Sequence, residues 1–109
     1  MAKNGSIKKY PKFLMCNGQK IKLKKMKGLK NEGTLGLYFP ADSSIHFDES
    51  LLKSPDLFWE TILHEFGHAV WDLSSLCQTS IPLDLQEIIV DQIAINFVKT
   101  FKIGFKGGK

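Results

Sequence analysis

Two histidines four residues apart lie near the middle of the chain, in the stretch HEFGH. In a helix, His64 and His68 would project from one face about one turn apart, so that their ring nitrogens converge on a single ion. Tetrahedral zinc binds imidazole nitrogens at about 2.0–2.1 Å. Glu65, next to the first histidine, would lie close enough to act on a zinc-coordinated water without binding the metal itself. The H-E-x-x-H spacing therefore predicts a zinc site with a general base beside it.

The residues around this motif predict the helix that it needs. Ser54 is a favourable N-cap residue, and Pro55 follows at the first helical position. Apolar residues then recur at three- and four-residue spacing, which indicates an amphipathic helix over about residues 55–76. Taken singly, each histidine and the glutamate would be an ordinary helix-surface residue. Their common position on one predicted helix is what favours a shared metal site over three separate surface residues.

Two histidines leave tetrahedral zinc short of protein ligands, so a third donor is expected on a neighbouring element. A second helix is predicted over about residues 82–103, apolar on most of its circumference and therefore largely buried. Glu87 and Asp91 lie four apart on one of its faces, and buried carboxylates need a partner. We expect Glu87 to be the third zinc ligand and Asp91 to accept a hydrogen bond from a zinc-binding histidine.

Alternatives for these acidic residues and for two strand residues stay open. The spacing Asp84-x-x-Glu87 also fits a capping box, in which Glu87 would have no metal role. Asp91 is itself the other possible third donor. His46 and Tyr38 are candidates for stabilising an oxyanion or contacting substrate, although each also fits a purely structural role.

The first half of the chain predicts strands. An apolar run, the turn Asn17-Gly18 and an alternating run predict a basic hairpin over about residues 12–27. Thr34 to Phe39 and Ser44 to Asp48 predict two further strands, joined by a short turn. The expected fold is α+β: a small antiparallel sheet of about three or four strands, followed by two packed helices.

Length and composition bound the rest. A chain of 109 residues, 43% of them hydrophobic, is expected to form one domain over residues 1–109 with one core. Neither a run of about 18 apolar residues nor a secretion signal is present, so we expect a cytoplasmic monomer without a membrane partner. Cys16 and Cys77 lack the spacing of a disulfide framework or a cysteine zinc site.

The charges are distributed unevenly along the chain. All 15 basic residues are lysines, and ten of them fall in the first thirty residues, which contain no acid. Such a segment could attract nucleic acid. The alternation in IKLKK fits a solvated strand face instead, and the chain has no arginine for bidentate recognition of phosphates and bases. We therefore expect no nucleic-acid partner and keep a basic nucleic-acid module as a lesser alternative.

A family resemblance emerges from the two motifs together. HEFGH, separated by eighteen residues from EIIVD, resembles the HExxH plus ExxxD arrangement of gluzincin-type zinc metallopeptidases. The chain is similar, over about residues 12–103, to the compact ImmA/IrrE-like domains that phages and mobile elements often encode. The resemblance implies a zincin-like fold and the following roles: zinc ligands His64, His68 and Glu87, catalytic base Glu65, and Asp91 supporting a ligand.

The resemblance also implies an activity and a partner. It implies a bacterial or phage-infected cell and an endopeptidase that cleaves a peptide bound as an added strand along residues 44–48. Glu65 would act on a zinc-activated water. The chain lacks a downstream third histidine with a Met-turn, which argues against the metzincin type. It also lacks a tyrosine or histidine after the HExxH helix that could stabilise the oxyanion. The alternative is an inactive zinc-binding fold that serves as a protein-interaction module.

Overall fold

Four strands and then two helices form the chain in the computed structural model, which describes residues 7–74 and 80–101. The α+β prediction is confirmed. The elements are β1 (Phe13–Cys16), β2 (Gln19–Met26), β3 (Gly36–Phe39), β4 (Ser44–Asp48), α1 (Pro55–Leu73) and α2 (Leu83–Phe101). Short 3-10 helices occupy Leu29–Glu32, Pro40–Asp42 and Glu49–Lys53. The predictions for Cys77 and for the end of the second helix at residue 103 lie outside the described residues.

The sheet is mixed, so the prediction of a wholly antiparallel sheet was wrong. Its strand order is β1-β2-β4-β3. The hairpins β1–β2 and β3–β4 are antiparallel as predicted, but they meet through β2 and β4, which are parallel. Turn residues specify pairing within a hairpin. They do not specify the strand by which two hairpins join, or its direction.

One face of the sheet packs against α1 to form the core. Ile21, Ile45 and Phe47 of the sheet are fully buried, as are Phe58 and Ile62 of the helix. The rings of Phe47 and Phe58 meet edge to face, with centroids 5.2 Å apart. The strands thus supply a flat apolar support on which the HExxH helix is fixed.

The other face of the sheet carries the lysines of β2. Lys20, Lys22 and Lys24 alternate with the buried Ile21 and Leu23 and are exposed. This is the solvated strand face that the period-two pattern predicts. The expectation that this face binds no nucleic acid stays a prediction. Among the described residues, no helix has the length and apolar character that crossing a membrane requires.

The second helix is much less buried than its composition predicted. Val90, Ala94 and Val98 form its buried stripe, whereas Ile88 and Ile93 are 60% and 61% exposed. The prediction of a largely buried helix was therefore wrong. The helix packs chiefly on α1, so only one of its faces is covered. Apolar composition alone does not show how many neighbours a helix has.

The two helices approach closely at a glycine. A Cβ atom on Gly67 would lie 2.7 Å from Cγ1 of Val90, closer than nonbonded carbons come. Val90 is buried, with 4% of its surface exposed, and its β-branched side chain is stiff. Gly67 therefore has the packing reason that a glycine inside a helix calls for.

A buried carboxylate connects β4 to the two short helices near it. Asp48 is 2% exposed and accepts hydrogen bonds from the backbone N–H groups of Lys30 (3.1 Å) and Ser50 (3.0 Å) and from the Ser50 hydroxyl. These hydrogen bonds, the hydroxyl's first, lower the pKa of Asp48 to about 2.

We expect Gly67→Ala to destabilise the protein, although alanine favours helix more than glycine does. The added methyl group meets Val90, and overpacking of this kind costs about 1–3 kcal/mol. Guanidinium chloride unfolding should show a lower midpoint for the variant. In a Val90→Ala background the same substitution should cost less, because the clash is gone. A Gly67→Ala protein as stable as the parent would contradict the close approach.

Asp48 should make the stability of the protein pH-dependent at acid pH. Its folded pKa of about 2 lies below the value of about 3.9 expected in the unfolded chain. Its contribution is therefore complete above about pH 4 and is lost as the pH falls through about 2. Urea unfolding from pH 5 to pH 2 should show a stability gap between the parent and Asp48→Asn that narrows with acidification. A gap that stays constant over this range would refute the assignment.

Candidate metal centre

The first helix brings two ring nitrogens together. His64 and His68 lie one turn apart on α1, and their Nε2 atoms are 3.3 Å from each other. Their side chains are 19% and 17% exposed, so both rings line a cleft that solvent can enter. The helix predicted from Ser54 and Pro55 therefore gives the HExxH motif the geometry that it requires.

A carboxylate from the second helix completes a three-donor cluster. Glu87 Oε1 lies 3.1 Å from His64 Nε2, and Glu87 Oε2 lies 2.7 Å from His68 Nε2. One atom from each of the three residues lies within 4.8 Å of the other two. Asp84 Oδ1 instead accepts a hydrogen bond from the N–H of Leu85. Glu87 thus faces the histidines, which favours the ligand role over the capping box.

The outer nitrogens of both rings also have partners on α2. His64 Nδ1 lies 3.3 Å from Asp91 Oδ1, and His68 Nδ1 lies 2.8 Å from Gln86 Oε1. Both partner atoms are acceptors, so they favour the tautomer in which each Nδ1 carries the ring hydrogen and donates it. In that tautomer each Nε2 has a lone pair directed at the centre of the cluster.

The cluster therefore consists of three electron-rich groups that face one another. In that tautomer the two ring nitrogens and the carboxylate repel at these distances, and a cation between them, whether a proton or a metal ion, removes the repulsion. Two imidazoles and one carboxylate form a donor set that catalytic zinc takes, with a further coordination position left for water. The residues present thus fit a zinc ion.

The two carboxylates on α2 are not buried. The side chains of Glu87 and Asp91 are 57% and 52% exposed, so the argument that burial demands a partner for them was wrong. They lie at the rim of the cleft, on a helix with only one covered face. The structure nevertheless brings both carboxylates to the histidines.

Glu65 lies beside the cluster rather than within it. Its Oε2 is 4.0 Å from His64 Nε2, its side chain is 14% exposed, and its carboxylate accepts a hydrogen bond from the N–H of Tyr38. Burial raises the pKa of Glu65, as does the charge of Glu87, while the two histidines and the Tyr38 N–H act in the opposite direction. This is the position of a proton acceptor.

The two strand candidates lie on opposite faces of the sheet. Tyr38 pairs with the buried Ile45 and points toward α1, where its hydroxyl donates to Asp72 Oδ2 at 3.1 Å. Burial, followed by the contact with Asp72, raises the pKa of Tyr38 to about 12. Tyr38 also lines one cavity together with Glu65 and His68.

His46 belongs to the other face and is not brought to the cluster. It pairs with Leu37, and its ring lies 4.3 Å from that of Phe39, centroid to centroid. Burial lowers the pKa of His46, and the nearby charges that affect it are those of Lys24 and Asp42. The structure therefore gives His46 surroundings that fit the structural alternative.

The strand predicted to receive a peptide has no free edge. Ser44–Asp48 is β4, which pairs with β2 on one side and β3 on the other, so a peptide cannot add to it. The strand that borders the cleft is β3. Because Leu35 O accepts from Asp48 N, the alternation of an antiparallel ladder directs the backbone groups of Gly36 and Tyr38 away from β4. The prediction failed because chain order does not reveal which strand lies outermost.

Sequence reasoning missed two residues of the site. A Cβ atom on Gly36 would lie 2.7 Å from Thr61 Cγ2 and 3.3 Å from Glu65 Cγ, so β3 runs directly against α1 at Glu65. An isolated glycine in a strand is a signal of such an approach. Gln86 had a weaker signal, its place immediately before Glu87.

The chain was compared with protein-family models, with curated proteins and with solved structures. None of the three comparisons gives a match.

Gln86→Ala should weaken zinc binding even though Gln86 is not one of the three converging donors. Without its acceptor oxygen, His68 is free to rotate or to change tautomer, and loss of such a partner typically costs about 10- to 100-fold in affinity. Competition with a chromophoric chelator measures this affinity. Gln92→Ala removes an exposed glutamine from the same helix and should leave zinc binding unchanged. Equal affinities for the two variants would contradict the role of Gln86.

Proposed function

We propose that the protein is a zinc-dependent metallopeptidase with a zincin-like, gluzincin-type site. The observation that carries the proposal is the convergence of His64 Nε2, His68 Nε2 and the Glu87 carboxylate, with Glu65 beside them. His64, His68 and Glu87 would hold the ion, and Asp91 and Gln86 would fix the two rings. A carboxylate outside the ligand set supports a hydrolytic role, because a purely structural zinc site has no use for it.

The chemistry divides between the ion and the chain. Zinc, when bound, polarises a peptide carbonyl and lowers the pKa of water to about 7. Glu65 accepts the proton of the attacking water and then donates it to the leaving amine. The Tyr38 N–H holds the Glu65 carboxylate in place for both transfers. Tyr38 remains a candidate for contacting the oxyanion because it lines the same cavity as Glu65 and His68, and this role requires its hydroxyl to leave Asp72.

The edge strand supports a peptide as the substrate. Of the outward backbone groups of β3, the Tyr38 N–H donates to Glu65 and the Gly36 C=O accepts from the Thr34 hydroxyl, which leaves the Gly36 N–H and the Tyr38 C=O for an extended chain. β3 also borders the cleft that contains the metal cluster. Strand addition is a common way to bind a peptide through its main chain. We therefore place the added strand along Gly36–Phe39 in place of residues 44–48.

Two variants and one measurement of metal content test the proposal. We expect elemental analysis of the purified protein to find about one zinc per chain, and His68→Ala to lose it. We expect Glu65→Gln to keep the zinc and to lose cleavage of a broad peptide library. The library products are identified by mass spectrometry.

Each contrary result has a definite meaning. A parent protein that takes up no zinc would show that a proton, rather than a metal, links the histidines and Glu87. A Glu65→Gln variant that still cleaves would remove Glu65 as the base. A zinc-loaded parent that cleaves no member of the library would favour the binding module instead.

A further inference from the structure

The cleft along β3 has two halves that are lined by largely different residues. Both are lined by Thr34, Gly36, His64 and Glu65, so they meet at the metal cluster. The first half has a volume of about 560 Å³, and both polar side chains (Lys30, Glu60, Thr61 and Asp91) and apolar ones (Leu35 and Leu57) line it. The second half has a volume of about 770 Å³, and Trp71, Ile81 and Leu83 add apolar surface to it.

The apolar surface of the second half is accessible to a ligand. Leu83, in the first turn of α2, is 76% exposed, and Trp71 and Ile81 are only half-buried. Large apolar side chains that surround a concave space beside a few polar groups are typical of a ligand pocket. Leu85 is also exposed on α2 but does not line this space.

The direction of β3 relates the two halves to the substrate chain. The residues that precede β3 and its first residue, Gly36, line the first half, whereas Leu37 and Tyr38 line the second. A peptide that adds to β3 in the antiparallel sense, which gives the straighter hydrogen bonds, runs from the second half to the first. Residues before the cleaved bond then lie over Trp71, Ile81 and Leu83.

The charges that border the second half limit which substrate side chains it can bind. The carboxylates of Asp72 and Glu87 border it, and they repel an acidic side chain. The hydroxyl of Tyr38 is engaged with Asp72, which leaves its ring as a further apolar wall. A bulky uncharged apolar side chain fits the lining and carries no negative charge for these carboxylates to repel.

We propose that the second half of the cleft is a specificity pocket for a bulky apolar side chain on the N-terminal side of the scissile bond. The proposal rests on the proposed peptidase function and names the class of substrate: extended peptides with leucine, methionine or phenylalanine before the cleaved bond. Leu83 and Ile81 are then specificity-determining residues that contact the substrate and take no part in the chemistry.

Cleavage-site sequencing of a random peptide library digested by the zinc-loaded protein tests the pocket. Leucine, methionine and phenylalanine should be enriched before the cleaved bond. Leu83→Ser and Ile81→Ser should lower kcat/KM for such a peptide by on the order of 10-fold, with the zinc content unchanged. For a matched peptide with alanine at that position, kcat/KM should change little. Leu85→Ser, the control on the same helix, should behave like the parent.

Three cleavage results would overturn the pocket. These are enrichment of lysine or arginine before the bond, enrichment of apolar residues only after it, and no enrichment at all. The first would assign recognition to Asp72, and the second would reverse the direction of the peptide.

A binding measurement separates failure of the pocket from failure of the peptidase. Zinc-loaded Glu65→Gln, immobilised on a resin, measures which peptides the pocket binds when no peptide is cleaved. One possible result is that the parent cleaves no peptide, this resin retains peptides rich in leucine, methionine and phenylalanine, and Leu83→Ser abolishes the retention. In that case the pocket stands and the peptidase function fails. If the resin shows no such selectivity, the pocket is wrong.

Discussion

The convergence of two imidazole nitrogens and one carboxylate is the constraint on which the rest of the site depends. Three electron-rich groups come together at hydrogen-bonding distance only if the surrounding chain holds them there. The histidines belong to α1, while Glu87 and both ring partners, Gln86 and Asp91, belong to α2. The packing of α2 on α1 therefore also brings the three groups of the cluster together.

The sheet has a second function beyond supporting α1. The strand order β1-β2-β4-β3 makes β3 an outer strand, with α1 rather than another strand close beside it. Gly36 permits that contact, and the next outward N–H, that of Tyr38, holds the Glu65 carboxylate. A meander in chain order would have placed β4 at the edge and β3 inside, and Glu65 would have lost this donor. The mixed topology thus decides which backbone groups face the cleft.

The parts of the site that sequence could predict are those that depend on local geometry. His64, Glu65 and His68 share one helix, and the four-residue spacing of the histidines determines how their side chains project. Glu87 was found because two histidines leave zinc short of ligands, even though the burial assumed for it was wrong. The central position of β4 depends on contacts between distant segments, for which one sequence gives no signal. His46 and Tyr38 looked equivalent until the register placed them on opposite faces.

The exposure of α2 would give the proposed zinc ion a structural role as well. The helix is attached mainly through the stripe Val90, Ala94 and Val98, and much of its remaining apolar surface is uncovered. A helix held along one stripe gains little from burial at its other faces. An ion shared by α1 and α2 adds the free energy of its binding to the folded state, because the unfolded chain does not bring the three donors together. If the proposed ion binds, it would link the two helices, and Glu87 would contribute to stability although it lies exposed at the rim.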